Sequence, residues 1–384
     1  MEKTVEYKVI SADTHLDLTW LPGDMFVEAA PAHLKSQMPF TTDAGAEKRW
    51  IVEEEDIARA GGFMAYVPGH SKHMDRMAEV GFYDGIKDGV YHPAVAELRV
   101  QDQDMDGVDA EIIYGILGIA GGGFSGPGFR DPEVTTAIYD IYNEWVSEFV
   151  KAAPQRLGAL GCVVSHDPQI AARQLRRAAE VGLKGAEINV AKMSSPMYQK
   201  EWDVLWATAD ECDMPISFHT LGIPTRPPVG ESAPEYAVAY DGLRECLFQL
   251  SGAEFLVSSV YSGACMRYPN FKFVLGECGI GWIPYVIERM DAEYEDRYHP
   301  IGLEMAPTAY WRRQGFSTFQ KEYVSRDQVD RIGADCIMWG SDYPHRDGVF
   351  PDSRKVIAEG MGHLDEDVTR QIVCDNAARL YNFN

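Results

Sequence analysis

The segment CIMWGSDYPH, residues Cys336–His345, contains a short apolar run that leads to a carboxylate at Asp342. Three further side chains that commonly bind metals end other short apolar runs far away in the chain: Asp13, His15 and His219. In a parallel β/α barrel the C-terminal ends of the strands surround one pocket, so side chains at these ends meet there. Carboxylates and imidazoles are ligands for divalent metals. The four positions together therefore predict a metal-dependent enzyme built on a barrel.

Strand-like and helix-like segments alternate along the chain from about residue 108 onward. With one earlier strand, the apolar runs predict eight strands: Val9–Ala12, Val108–Tyr114, Leu157–Val164, Leu183–Val190, Met214–His219, Phe271–Gly276, Gly315–Phe319 and Cys336–Gly340. Nearly continuous apolar strands between helices are typical of a parallel sheet, and eight of them favour closure into a barrel. No Gly-x-Gly-x-x-Gly turn follows the first strand, which argues against a dinucleotide-binding sheet. We predict an α/β fold, a (β/α)8 TIM barrel.

Residues 19–103 interrupt this alternation with many prolines, glycines and aromatic side chains. We interpret them as a long insertion after the first strand, which lies as a lid over the barrel mouth. The whole chain, residues 1–384, is then a single barrel domain. The aromatic residues could line a substrate pocket or pack the insertion onto the barrel. They include Trp20, Phe26, Trp50, Phe63, Tyr66, Phe82, Tyr83 and Tyr91.

Composition and charge narrow the choice of partners. The chain is 46% hydrophobic and 11% aromatic, which is typical of a globular protein. A net charge of −24 argues against nucleic acid and anionic membranes, because both attract clustered Lys and Arg. No stretch reaches the ~18 apolar residues of a membrane helix. The seven cysteines form no Cys-x-x-Cys pair, so we predict a reduced, cytoplasmic protein that acts on a small molecule.

The first predicted strand offers two ways to place a carboxylate beside His15. Alternate residues of a strand face the same side, so either Asp13 or Asp17 can point into the barrel with His15. Taken singly, His219 could be a buried hydrogen-bonded residue and Asp342 could cap a helix. The four positions together are more specific than any one of them.

The chain resembles the amidohydrolase-related proteins of the aminocarboxymuconate-semialdehyde decarboxylase type, in one branch of that group. The resemblance runs from SADTH at Ser11–His15, through GECGIGWIPY at Gly276–Tyr285, to NAARL at Asn376–Leu380, and so covers essentially the whole chain. It implies a metal-dependent (β/α)8 barrel, often dimeric, with a single divalent ion, zinc or manganese. The first-strand pair, His219 and Asp342 would hold this ion.

Two positions depart from the family pattern. The first-strand motif is commonly His-x-His or Glu-x-His, whereas this chain has Asp13 with His15 as the preferred pair and Asp17 as the alternate. A carboxylate here makes a site that accepts manganese as well as zinc. Many relatives carry a histidine at the sixth strand, where this chain has Glu277. Glu277 could act as acid or base, or support a ligating histidine.

Our main functional prediction is a mononuclear metal-dependent hydrolase of a small aromatic or cyclic organic acid, amide or lactone. Asp342 would accept a proton from metal-activated water, and Glu277 would deliver one to the leaving group. One alternative is a metal-dependent non-oxidative decarboxylase of an aromatic or semialdehyde acid. Another is a ligand-binding barrel without catalysis. The residues predicted to contact substrate are His345, His166 and Arg226, and the predicted assembly is a homodimer.

Overall fold

Eight parallel strands form the central sheet of the computed structural model, which describes residues 6–42, 48–52, 54–62, 66–117, 131–219 and 236–383. In spatial order the strands are β1 (Ile10–His15), β5 (Ala110–Tyr114), β6 (Leu157–Val163), β7 (Gly185–Ile188), β8 (Ile216–His219), β9 (Phe273–Gly276), β10 (Gly315–Phe319) and β11 (Ile337–Trp339). All eight predicted strands are confirmed. The first is longer than expected at its C-terminal end, because it continues through Asp13 to His15.

The barrel closes where the chain that follows β11 meets β1. The backbone N–H of Asp342 donates to the carbonyl of Asp13 at 2.9 Å, and that of His15 donates to the carbonyl of Tyr343 at 2.6 Å. The (β/α)8 barrel prediction is therefore confirmed. These bonds also place the last strand directly beside the first, with their C-terminal ends adjacent.

Helices surround the sheet and fill the connections between strands. They are α1 (Met25–Ala29), α2 (Lys72–Glu79), α3 (Ala96–Asp106), α4 (Pro132–Val150), α5 (Pro168–Glu180), α6 (Asp203–Cys212), α7 (Ala237–Leu247), α8 (Gly252–Tyr261), α9 (Ala264–Arg267), α10 (Ile283–Glu293), α11 (Pro307–Gln314), α12 (Arg326–Ile332), α13 (Ser353–Met361), α14 (Glu366–Arg370) and α15 (Asn376–Tyr381). The N-terminus of α5 follows the Asp-Pro signal in the sequence. Asp167 accepts hydrogen bonds from the backbone of Gln169 and Ile170. Within the described ranges, no helix combines the length and the apolar character that crossing a membrane requires.

The insertion after β1 contains helices α1–α3 and a small antiparallel sheet. This sheet consists of β2 (Phe40–Thr42), β3 (Arg49–Val52) and β4 (Glu55–Arg59). Trp20, Phe26, Trp50 and Phe82 are buried in the same hydrophobic core as the barrel strands, so these four pack the insertion onto the barrel. Phe63 lies outside the described residues. The division of the chain at 19–103 and the role of this segment as a lid stay predictions.

A buried arginine joins the insertion to the first barrel strand. Arg99 of α3 is 0% exposed, and its guanidinium donates to the carbonyl of His15 and to the hydroxyl of Thr14, both at 2.9 Å. The same group pairs with Glu111 of β5 and lies 5.1 Å from the ring centre of Tyr343. Arg99 therefore fixes the backbone of β1 where its side chains approach the barrel mouth.

Asp106, at the end of α3, gives a pH-dependent prediction. It accepts hydrogen bonds from the backbone N–H and the hydroxyl of Ser353 at 2.8 and 2.5 Å, yet burial raises its pKa to about 6. Because the folded pKa exceeds the unfolded one, the stability from this group is present below about pH 4 and is lost as pH rises through 6. Asp106→Asn should raise the free energy of unfolding by about 1–3 kcal/mol at pH 8 and change it little at pH 4. Chemical denaturation at the two pH values measures this, and an equal effect at both would contradict it.

Candidate metal centre

The structure brings four of the predicted residues together at the C-terminal end of the barrel. Nε2 of His15 lies 3.4 Å from Oδ1 of Asp13 and 3.1 Å from Oδ1 of Asp342. Nε2 of His219 lies 3.6 Å from the same Asp13 oxygen. These side chains come from β1, from β8 and from the loop after β11, so one set of strand ends supplies all four.

Several atoms of this group point at one another without forming hydrogen bonds. Oδ1 of Asp13, Nε2 of His15 and both carboxylate oxygens of Asp342 are buried and have no hydrogen-bond partner among the described residues. Buried polar atoms normally have partners, and unpaired ones are costly. Burial and His345 oppose charge on His15, yet Asp13 and Asp342 raise its pKa to about 9, so the group attracts positive charge. The residues therefore fit a divalent metal ion such as zinc or manganese.

Asp13, rather than Asp17, shares this group with His15. The two residues of β1 point to the same side, because side chains of a strand alternate. Asp17 lies beyond the end of β1, and its Oδ2 is 3.0 Å from Nε2 of His345. The carboxylate that lies beside His219 is therefore that of Asp13 and not that of Asp17, the alternate predicted from the sequence.

The other oxygen of Asp13 is held by neighbouring strands. Oδ2 accepts hydrogen bonds from the backbone N–H of Glu277 at 2.8 Å and from the hydroxyl of Thr318 at 2.7 Å. Burial opposes ionisation of Asp13, but the neighbouring imidazoles of His15 and His219 hold its pKa at about 2. Asp13 is therefore a carboxylate with one oxygen fixed by the protein and the other facing the group. No sequence pattern marks Thr318, which stands inside an ordinary strand.

Thr318→Val is expected to weaken Mn²⁺ or Zn²⁺ binding by roughly 10-fold, because groups that orient a ligand usually matter by one or two orders of magnitude. Valine has nearly the same shape as threonine and removes the hydroxyl that donates to Asp13 and accepts from the backbone N–H of Glu277. Thr318→Ser keeps the hydroxyl and should bind metal nearly as well as the unmodified protein. Metal titration of the three proteins measures the difference, and equal affinities in the valine and serine variants would rule this role out.

Two glycines allow the strands to approach closely at the site. A side chain on Gly340 would place its Cβ 2.5 Å from Cβ of Asp13. A Cβ on Gly276 would lie 2.9 Å from the hydroxyl of Tyr114 and 3.0 Å from Cδ2 of His219. Because neither position has room for a methyl group, both glycines are needed to keep the neighbouring side chains in place.

Acidic side chains crowd one edge of the group. Glu277 is 5% exposed, and its Oε2 lies 3.6 Å from Nε2 of His219. Burial, with the nearby Asp342 carboxylate, raises the pKa of Glu277 well above its usual range. Glu277 and Asp342 both have a positive φ, at 51° and 55°, a conformation that is rare for non-glycine residues and concentrated at functional sites. Asp347 also belongs here, since carboxylate oxygens of Glu277, Asp342 and Asp347 lie within 4.8 Å of one another. The sequence interpretation missed Asp347, although it follows Asp342 in the same loop.

The three predicted substrate contacts have different positions. His345 lies at the group, with its ring stacked on His15 at a centroid distance of 3.9 Å. His166 is half-buried, with Nε2 3.4 Å from the hydroxyl of Thr136, and it belongs to none of the ligand clusters found in the described part of the chain. Arg226 lies outside the described residues.

An eight-stranded barrel with carboxylates and imidazoles gathered at the C-terminal ends of its strands defines the class of metal-dependent barrel enzymes. Within this class, the chain belongs to the amidohydrolase family, whose sequence profile matches residues 97–383.

The chain is similar in sequence or structure to several known proteins. A γ-resorcylate decarboxylase from Polaromonas sp. strain JS666 is 26% identical over an alignment of 225 positions, and the match covers 53% of this chain and 64% of that protein. The match therefore spans less than two thirds of the relative. The crystal structure of an amidohydrolase from Mycobacterium avium subsp. paratuberculosis K-10 is similar with a TM-score of 0.71 and 21% identity, and 98% of each chain is covered. A dihydroxybenzoic acid decarboxylase from Polaromonas sp. JS666, with bound manganese and the inhibitor 2-nitroresorcinol, has a TM-score of 0.62 and 18% identity, with 99% of this chain and 98% of that chain covered.

These matches decide several of the predictions. The resemblance to the amidohydrolase-related proteins is confirmed, because the family profile matches residues 97–383. The donor set fits the predicted cofactor, one divalent ion of zinc or manganese. Hydrolysis, the roles of the individual site residues and the homodimer stay predictions.

Proposed function

We propose that this protein is a metal-dependent, non-oxidative decarboxylase of a hydroxylated aromatic acid. Asp13, His15, His219 and Asp342 are the proposed metal ligands. The observation that carries the proposal is the position of Glu277, a buried carboxyl group that faces the donor set 3.6 Å from His219. The similarity to decarboxylases of γ-resorcylate and dihydroxybenzoic acid from Polaromonas sp. JS666 supports the choice of reaction over hydrolysis.

The reaction needs a proton beside the substrate ring. When bound, the metal ion supplies a positive centre for the substrate carboxylate and the neighbouring hydroxyl oxygen. Decarboxylation breaks the bond between the ring carbon and the carboxyl carbon, carbon dioxide leaves, and the electron pair stays with the ring. Glu277 delivers its carboxyl proton to that ring carbon, which replaces the lost carbon–carbon bond with a carbon–hydrogen bond. The buried surroundings of Glu277 keep water away from this step.

The test is an assay of the purified protein loaded with Mn²⁺ or Zn²⁺ against hydroxybenzoic acids such as γ-resorcylate and salicylate. We expect carbon dioxide and the corresponding phenol in equal amounts. His219→Ala should lose both bound metal and turnover, because it removes a proposed ligand. Cleavage of aromatic amides or lactones without carbon dioxide would instead support the hydrolase prediction.

Metal analysis separates these enzymes from a barrel that only binds a ligand. A decarboxylase of the proposed kind should hold close to one metal ion per chain after loading. Much less metal in the loaded protein, together with unchanged properties of His219→Ala, would favour the ligand-binding barrel without catalysis.

A further inference from the structure

His345 lies between two carboxylates at the edge of the donor set. We infer that His345 is a positioning residue, anchored by Asp17, that orients the Asp342 carboxylate, and that neither His345 nor Asp17 is a metal ligand. This inference rests on the proposed metal site, and it gives both residues a role other than the predicted one. Sequence reasoning had placed His345 among the substrate contacts and Asp17 as an alternate ligand.

The first argument is that each ring nitrogen of His345 lies beside a carboxylate oxygen. Nδ1 lies 3.0 Å from Oδ1 of Asp342, and Nε2 lies 3.0 Å from Oδ2 of Asp17. A ligating histidine uses one nitrogen for the metal and holds its ring with the other. Nδ1 of His345 approaches the same Asp342 oxygen as the proposed ligand His15. Unlike His15 and His219, however, it contacts neither Asp13 nor Glu277 among the ion pairs of the site, so it meets the group through Asp342.

The second argument is that the ring is fixed on several sides. It stacks on His15 with an interplanar angle of 22°. The backbone N–H of His345 donates to the carbonyl of Asp342 at 2.8 Å, and its own carbonyl accepts from Gly348 at 3.2 Å and lies 3.3 Å from Nε2 of His73. The ring therefore stacks on the proposed ligand His15 and points its Nδ1 edge at the proposed ligand Asp342. His73 of α2 connects the backbone of His345 to the insertion.

The third argument concerns Asp342 itself. It has a positive φ, and neither of its oxygens accepts a hydrogen bond of ordinary geometry within the described residues, so its orientation depends on the imidazoles of His15 and His345, which lie 3.1 and 3.0 Å from Oδ1. Side chains that orient a metal ligand typically contribute one to two orders of magnitude to metal affinity. Asp17, 7% exposed, supplies the fixed point from which His345 acts.

The experiment measures Mn²⁺ affinity in Asp17→Asn, His345→Gln and the double variant, by following free Mn²⁺ with electron paramagnetic resonance. His345→Gln should weaken binding by roughly 10–100-fold, and Asp17→Asn should weaken it by less. The double variant should bind no more weakly than His345→Gln, because Asp17 acts through the ring that this variant lacks. The control is His33→Gln, a surface histidine paired with Glu133 and 66% exposed, which should leave affinity unchanged.

A second measurement counts the imidazole groups bound to Mn²⁺ by electron spin echo modulation. The unmodified protein and His345→Gln should show the same two coordinated imidazoles. Loss of one in His345→Gln would make His345 a ligand, and unchanged affinity with a raised KM would make it a substrate contact; either result overturns the inference.

Two further outcomes are distinguishable from these. If His345→Gln does not fold, Asp17→Asn decides alone, since unchanged affinity in that variant contradicts the anchoring role. Failure of the unmodified protein to bind Mn²⁺ would refute the proposed metal site itself, and with it the inference.

Discussion

Replacing Glu277 with glutamine is expected to lower the turnover of an aromatic acid by about 10²–10⁴-fold while the bound metal remains. Glutamine matches the shape of glutamate and leaves the backbone N–H of residue 277 free to donate to Asp13, but it has no proton to deliver. The variant should therefore have a lower kcat. Carbon dioxide release at saturating substrate, with metal content measured on the same samples, gives both quantities.

Two variants make this prediction specific. Glu277→Asp keeps a carboxyl group but withdraws it by one methylene, so its kcat should lie between those of the unmodified protein and the glutamine variant. Glu322→Gln changes a half-buried carboxylate that accepts hydrogen bonds from the backbone N–H groups of Ile280 and Gly281, which follow Glu277 in the chain. This variant should leave turnover nearly unchanged. Full activity in Glu277→Gln would exclude the proposed proton donor, and loss of metal together with activity would assign Glu277 to metal binding.

Arg99→Met is expected to lower the free energy of unfolding by about 3–5 kcal/mol. The guanidinium is fully buried, so its removal leaves the carboxylate of Glu111 without its cation and the carbonyl of His15 without a donor. Chemical denaturation measures the loss. Because Arg99 also holds the strand that carries Asp13 and His15, the surviving folded protein should bind metal more weakly.

An exposed arginine provides the matched control. Arg176 pairs with Glu211 on the surface, where the two side chains are 52% and 60% exposed. Arg176→Met should therefore cost less than about 1 kcal/mol and leave metal affinity unchanged. If both variants lost a similar free energy of unfolding, burial would not be the reason that Arg99 stabilises the fold.

The sequence was sufficient to predict the barrel and the four proposed ligands because their signals are local. Each barrel strand is a compact apolar run, and Asp13, His15, His219 and Asp342 stand where these runs end. The rule that strand ends converge in a barrel then brings distant residues together without any knowledge of their contacts.

The supporting residues could not be predicted because their roles depend on contacts between distant segments. Arg99 lies on a helix rich in charged residues, where an arginine is normally exposed, and only the packing of α3 against β1 buries it. Thr318 is a common strand residue whose hydroxyl matters only because Asp13 of another strand faces it. Asp17 satisfied the alternation rule but lies beyond the end of β1, and that boundary depends on pairing with β5.

The closure of the barrel also sets when the protein can acquire its metal during synthesis. The backbone N–H of Ser341 donates to the hydroxyl of Ser11, and these residues are 330 positions apart in the chain. β1 can pair with β5 early in synthesis, but it gains its second neighbour only after residue 341 has been made, and Asp342 then joins the other proposed ligands. Nascent chains that stop short of β11 lack Asp342, so the full set of proposed ligands assembles only after β11 has been made.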